Sequence, residues 1–147
     1  MGFDSGDSIE QIIKNLYPGL WVDGRSDNKG PEPESVLTAQ LDGLDLLFLA
    51  LERSNAIMVW DLTDLQNIHF LDMLFTAGDI APEGMSFLST SQSSYLAVAN
   101  ENTGVAGTGT TTLYRLTVPA GGPATALLLA PAVFGMLRFA RRQASRA

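Results

Sequence analysis

Apolar positions along the chain recur with two different periods. Ile9, Ile12, Ile13 and Leu16 fall at i, i+3, i+4 and i+7, one face of a helix, so the spacing predicts a short amphipathic helix over Ser8–Leu16. Asp7 and Glu10 stand where a capping box would close its start, and Tyr17-Pro18-Gly19 stops it. Asp23–Pro33 is polar and without period, hence a loop. From Glu34 the pattern changes to brief aliphatic and aromatic runs bounded by Gly, Asn, Asp or Ser, which predicts strands. The first four are Ser35–Gln40, Asp45–Glu52, Ala56–Leu62 and Ile68–Phe75. Their connections, such as Asp42-Gly43 and Arg53-Ser54-Asn55, are short enough only for antiparallel hairpins, so the four form a meander.

The pattern then begins again. Pro33-Glu34-Ser35 matches Pro82-Glu83-Gly84, and Leu49-Ala50-Leu51-Glu52 matches Val98-Ala99-Asn100-Glu101, both 49 residues on. Met58-Val59-Trp60-Asp61-Leu62 resembles Thr112-Leu113-Tyr114-Arg115-Leu116 at an offset of 54, the glycine-rich stretch Gly104–Gly109 absorbing the difference. A repeat of this length made of four short strands is the mark of a propeller blade. The second copy predicts three strands, Met85–Leu88, Tyr95–Asn100 and Thr110–Val118. The expected fold class is therefore all-β: about two antiparallel blades of a partial β-propeller, with a short N-terminal helix and a C-terminal apolar helix. The expected divisions are a helix and polar loop at 1–32, two blades at 33–81 and 82–118, and a tail at 119–147.

Composition sharpens this reading. All 16 Asp and Glu lie between Asp4 and Glu101, whereas Arg138, Arg141, Arg142 and Arg146 close the chain. Residues 1–118 hold five Lys and Arg against those 16 acids, a body of −11, and the tail is +4 within the total of −7. An acidic body repels phosphate backbones, so nucleic acid is excluded as a partner and cations fit better. With no cysteine and one histidine, thiol catalysis, disulfides and thiolate or His-rich metal sites are excluded. The opening residues carry neither a basic nor an apolar region and do not read as a signal peptide. Between Val118-Pro119 and the arginines runs the uncharged segment Ala124–Leu137, apolar all round, which predicts a membrane-directed helix with arginine retained on the cytoplasmic side.

Candidate chemistry lies in the carboxylates. Glu34 opens the first strand of a blade and Glu52 closes the second, so a hairpin sets them side by side at one sheet edge. Glu83 and Glu101 repeat the arrangement, and adjacent blades would bring all four toward a common face. Like charges so placed raise one another's pKa and make a Ca²⁺-like cation a natural partner, with Asp27, Glu32 and Asp79 as further oxygen ligands. The competing reading is that each glutamate accepts backbone N–H bonds at a turn, or pairs with Arg53. Gly104–Gly109 has the wrong spacing for a dinucleotide loop and reads as a hairpin loop. Ser86 and Ser89-Thr90-Ser91 read as turn residues, and His69 as a surface residue of an edge strand. Trp60 and Tyr114, at equivalent positions, read as packing residues; Trp21 has no assignment.

Ser26–Glu34, Gly78–Gly84 and Val98–Glu101 together resemble the closing segments of the bacterial choice-of-anchor I family, over about residues 3–118. The resemblance implies an exported protein with a β-propeller body and an interchangeable C-terminal anchor. The tail is similar to a PEP-CTERM sorting signal, with Val118-Pro119 in place of the family's Pro-Glu-Pro and Arg138, Arg141 and Arg142 as the basic cluster. It implies contact with the bacterial envelope membrane and processing by an exosortase-type enzyme. The expected function is thus a non-catalytic, surface-associated propeller segment of a longer protein, located at the envelope or outside the cell after export of the full-length form. The alternative is a Ca²⁺-dependent phosphoesterase fragment like the phytase-type propellers, in which Glu34, Glu52, Glu83 and Glu101 hold the cations.

Overall fold

In the computed structural model, residues 2–75, 77–102 and 108–118 are described. The predicted helix forms over Ser8–Leu16 (α1), followed by single 3₁₀ turns at Pro18–Leu20 and Asp23–Arg25. Seven strands follow: β1 Pro33–Leu41, β2 Leu44–Leu51, β3 Ala56–Asp61, β4 His69–Leu74, β5 Ile80–Ser89, β6 Ser94–Asn102 and β7 Thr110–Leu116. They make two antiparallel sheets in simple meander order, β1-β2-β3-β4 and β5-β6-β7. Each strand of the sequence reading is present, and the largest difference is β5, which starts at Ile80 because its first residues pair with Asn100 and Asn102.

Local chemistry sets the hairpins. Asp42 and Gly43 both take positive φ, 50° and 87°, which matches the right-handed twist of β1 and β2 and allows a two-residue turn. Alternation then assigns the faces. Leu37, Ala39 and Leu41 of β1, with Leu46, Phe48, Ala50, Ile57, Val59 and Leu74, form one face of the first sheet. Met85, Phe87, Leu96, Val98, Tyr114 and Leu116 of the second sheet pack on it, with β5 lying across β1, β2 and β3.

The opposite face of the first sheet carries Leu51, Ala56, Met58, Trp60 and Met73, and Ile9 and Ile13 of α1 lie over it. Phe70 packs edge-on between Trp60 and Tyr17. Covered on both sides, all six residues of β3 are buried, which is why Ala56–Asp61 reads as an almost unbroken apolar run. The capping box does not form. Asp7 sits at φ −94°, ψ 11° rather than in the extended conformation a capping side chain needs, and its carboxylate instead accepts from Gln11 one turn on, at 3.3 Å.

The internal repeat is built into the backbone. β1 has a bulge between Pro33 and Ser35, and β5 has one between Pro82 and Gly84. Glu34 and Glu83 are thus the extra, unpaired residue of two equivalent bulges. Before each bulge a non-glycine residue adopts positive φ, Glu32 at 52° and Ala81 at 57°. Trp60 and Tyr114, both buried, lie on equivalent faces of their sheets. The Gly104–Gly109 loop falls largely outside the described residues, but the antiparallel pairing of β6 with β7 agrees with a hairpin there. The expected C-terminal apolar helix and tail, from 119 onward, lie outside the described residues. Among the described residues no helix is long and apolar enough to cross a membrane.

Candidate carboxylate site at the sheet junction

Pro31 and Glu32 end the polar loop beside the turn that leaves β2. The N–H of Glu52 donates to the Glu32 carbonyl at 2.9 Å, and that of Arg53 to the Pro31 carbonyl at 3.1 Å. With the loop held in this way and its own φ positive, Glu32 turns its side chain inward, where 4% remains exposed. The bulge presents Glu34 alongside, and Glu52 begins the next turn. One carboxylate oxygen from each of Glu32, Glu34 and Glu52 lies within 4.8 Å of the others.

Two cations answer this charge. Arg53 Nε donates to Glu32 Oε2, and its Nη2 stands 3.5 Å from Glu52 Oε1. Lys29 Nζ lies 2.6 Å from Glu32 Oε1. The bond from Lys29 is the largest influence on Glu32 and, with Arg53, holds its carboxyl below the usual range against the opposing effect of burial. Glu52 moves the other way. Burial pushes it up, Arg53 offsets part of this, and the charges of Glu32, Glu34 and Glu83 add to the rise. The bond to Glu32 raises Arg53, against some desolvation, and the charges of Glu52, Glu32 and Glu101 support it.

The three carboxylates that converge, Glu32, Glu34 and Glu52, all belong to the first repeat and the loop before it. From the second repeat, the charge of Glu83 reaches Glu52 and that of Glu101 reaches Arg53. The centre of this cluster is Glu32, which the spacing of the repeat had placed only among accessory ligands. A signal was available in the Lys29/Glu32 spacing of three and in Arg53, a lone cation directly after Glu52. Asp27 is exposed in the preceding turn and is not one of the three converging carboxylates.

Asp79 is buried in a different setting. Its Oδ1 accepts from Thr110 Oγ1 at 2.8 Å and its Oδ2 from Thr112 Oγ1, while Asn100 Nδ2 donates to both hydroxyls, at 3.1 and 3.0 Å. These bonds engage both carboxylate oxygens in tying the start of β5 to β7. The alternation of Thr110, Thr112 and Tyr114 on one face of β7 carried this feature in the sequence.

The remaining candidates find ordinary places. His69 opens β4, with Nδ1 bonded to the Asn67 carbonyl at 2.9 Å and Nε2 3.9 Å from Asp61. Thr90 bonds the backbone of Ser93 within the β5–β6 turn, whereas Ser86 lies in β5 itself rather than in a turn. The Trp21 ring lies under Lys14 Nζ, 4.2 Å from its centroid. Val118 packs half-buried against the inter-sheet core. Pro119, Arg138, Arg141 and Arg142 lie outside the described residues.

Residues 1–65, which span α1 and β1 to β3, match the family model of the choice-of-anchor I domain. This match supports the family resemblance over those residues, which end before β4. No curated protein and no solved structure matches the chain.

Proposed function

We propose that this chain is a non-catalytic, surface-associated module of a choice-of-anchor I type protein. Its two stacked sheets are propeller blades, and its C-terminal segment sorts it to the bacterial envelope. The observation that carries this reading is the match of residues 1–65 to the choice-of-anchor I domain. The chemistry agrees with a binding or structural module, because the most concentrated charge is an ion-paired cluster in which Lys29 and Arg53 already answer Glu32 and Glu52. In this reading the cluster clasps the first repeat at the junction with the second.

The test is the location of the full-length protein in its native cells. Added protease should degrade it on intact cells, and substitution of Arg138, Arg141 and Arg142 together by Gln should release it from the envelope fraction. Recovery solely from the cytoplasmic fraction, protected from protease, overturns the reading.

The convergence of Glu32, Glu34 and Glu52 within 4.8 Å favours a second reading, in which these residues hold Ca²⁺. Titration of the full chain with Ca²⁺ by calorimetry should then give a one-to-one heat that Glu34→Gln removes. A flat titration and an unchanged melting temperature leave the ion-paired clasp as the role of the cluster. Phosphoesterase activity would additionally require Ca²⁺-dependent turnover of a generic phosphomonoester, lost in Glu83→Gln.

A further inference from the structure

We propose that the apolar segment Ala124–Leu137 docks on its own chain, its side chains filling the cleft between the N-terminal residues and β1 on the outer face of the first sheet. This goes beyond the envelope-sorting reading and does not rest on it.

α1 covers the outer face of the first sheet incompletely. Between the residues ahead of the helix and β1 there remains a cleft of about 240 Å³, lined by Phe3, Ile9, Val36, Leu49, Trp60 and Leu62. Ile9 and Trp60 are buried there, and the Phe3 ring stands edge-on to that of Trp60, 6.1 Å between centroids. Two other walls face water: Phe3 is 58% exposed and Val36 62%. Apolar side chains at the mouth of an apolar cleft are stabilised by any further apolar group that enters it, by about 25 cal/mol for each Å² removed from water.

The place where the described chain stops selects the occupant. Val118 is half-buried and lines one depression together with Leu41 and Asp42, so the chain leaves beside the turn between β1 and β2. The cleft reaches the same end of the sheet, because the N–H of Leu62 donates to the carbonyl of Asp45, just after that turn, at 2.7 Å. From Val118 to Ala124 an extended chain spans about 20 Å, whereas the step from the layer between the sheets to the far face of one of them is about 10 Å. The segment therefore has the length to pass the turn and enter the cleft. It brings Leu127, Leu128, Leu129, Val133 and Phe134, and it carries no charge. The flanking charges are complementary. Arg138, Arg141 and Arg142 follow the segment, while Asp4 and Asp7 flank Phe3 and Ser5 along the cleft. Both aspartates are exposed, and among the described residues no cation pairs with either.

The chain has no cysteine, so disulfide trapping in the full chain tests the docking. Val36→Cys is combined with Leu128→Cys or with Phe134→Cys, and each double variant is oxidised at low concentration without detergent. At least one pair should close an intrachain disulfide, read as a monomer on a non-reducing gel and located by peptide mapping. Leu88→Cys with the same two partners should close several-fold more slowly. Leu88 is 59% exposed and adjoins Ser89, which lines the depression beside Val118, so an undocked segment would reach it at least as readily as Val36. In a second measurement, Val36→Asn should keep the circular dichroism of the wild type and be cut by trypsin after Arg138, Arg141 and Arg142 several-fold faster. Equal trapping by Val36→Cys and Leu88→Cys, or trapping by neither, overturns the proposal. Disulfides formed only between chains overturn it too and make the occupant a second copy, and an unchanged rate of cleavage in Val36→Asn also counts against it decisively. These measurements read the isolated chain, so the docking can fail while the release from the envelope fraction on substitution of the arginines still holds, and the reverse.

Discussion

Glu32 shows how one side chain takes its role from backbone that surrounds it rather than from its neighbours in sequence. Its carboxyl is held low by Lys29 and then Arg53, so its contribution to stability is present above its unfolded value of 4.5 and is lost as pH falls through the lower folded value. Glu32→Gln is expected to lower stability at neutral pH and to converge on the wild type in acid, as urea denaturation at a series of pH values would measure. Arg53→Ala should destabilise more at neutral pH, because Glu32 and Glu52 then lose their shared cation. Asp72 has the opposite sign. Burial raises its carboxyl above 3.8, only partly offset by the bond from the Met73 N–H at 2.8 Å. Its contribution is full below the unfolded value and lost as pH rises through the folded one. Asp72→Asn should therefore match the wild type in acid and exceed it at neutral pH in the same measurement. Asp79→Ala removes the acceptor for two hydroxyls inside the second sheet and should cost about 1–3 kcal/mol of unfolding free energy, and Thr112→Val should cost a comparable amount because it leaves the buried Asp79 Oδ2 without its donor.

Each element was legible where its period was clean. The helix over Ser8–Leu16 and the first hairpin follow directly from the spacing of Ile9, Ile12, Ile13 and Leu16 and from Asp42-Gly43. The strands of the second repeat were legible at their centres but not at their starts. Nothing in Ile80-Ala81-Pro82 alternates, and those residues are extended because the β6 ladder continues to Asn102. The capping box failed for a related reason, since Asp7 takes a backbone conformation from which its side chain cannot reach the helix amides. What α1 does was also not visible from its own period, which tells only that one face is apolar. In the fold that face covers the first sheet, and Ile13 is fully buried against it. Ile13→Ala should cost about 2–5 kcal/mol, as large-to-small changes at fully buried aliphatic positions do. The emission of Trp60 should shift to the red as water reaches its face of the sheet. A change below about 0.5 kcal/mol, the range of surface substitutions, would mean that α1 does not pack as described.

For the molecule as a unit, the offset of 49 was the most informative feature of the chain, and the paired bulges at Pro33/Ser35 and Pro82/Gly84 are its physical content. The residues alone specify seven short strands, their antiparallel order and the existence of two related copies, because period, turn chemistry and repeat are local or nearly local properties. They also specify an acidic body and place its carboxylates at strand edges. They do not specify which face of one sheet meets which face of the other, since alternation makes both faces of β2 and β3 apolar and leaves the choice to packing. Nor do they specify which carboxylate is buried. That depends on a loop closing against a turn some twenty residues away, where the carbonyls of Pro31 and Glu32 receive the N–H groups of Arg53 and Glu52 and so bring Lys29, Glu32, Glu34, Glu52 and Arg53 into one site. Contacts between distant segments are settled only when the whole chain packs, and at this junction packing made Glu32, not Glu34 or Glu83, the centre of charge.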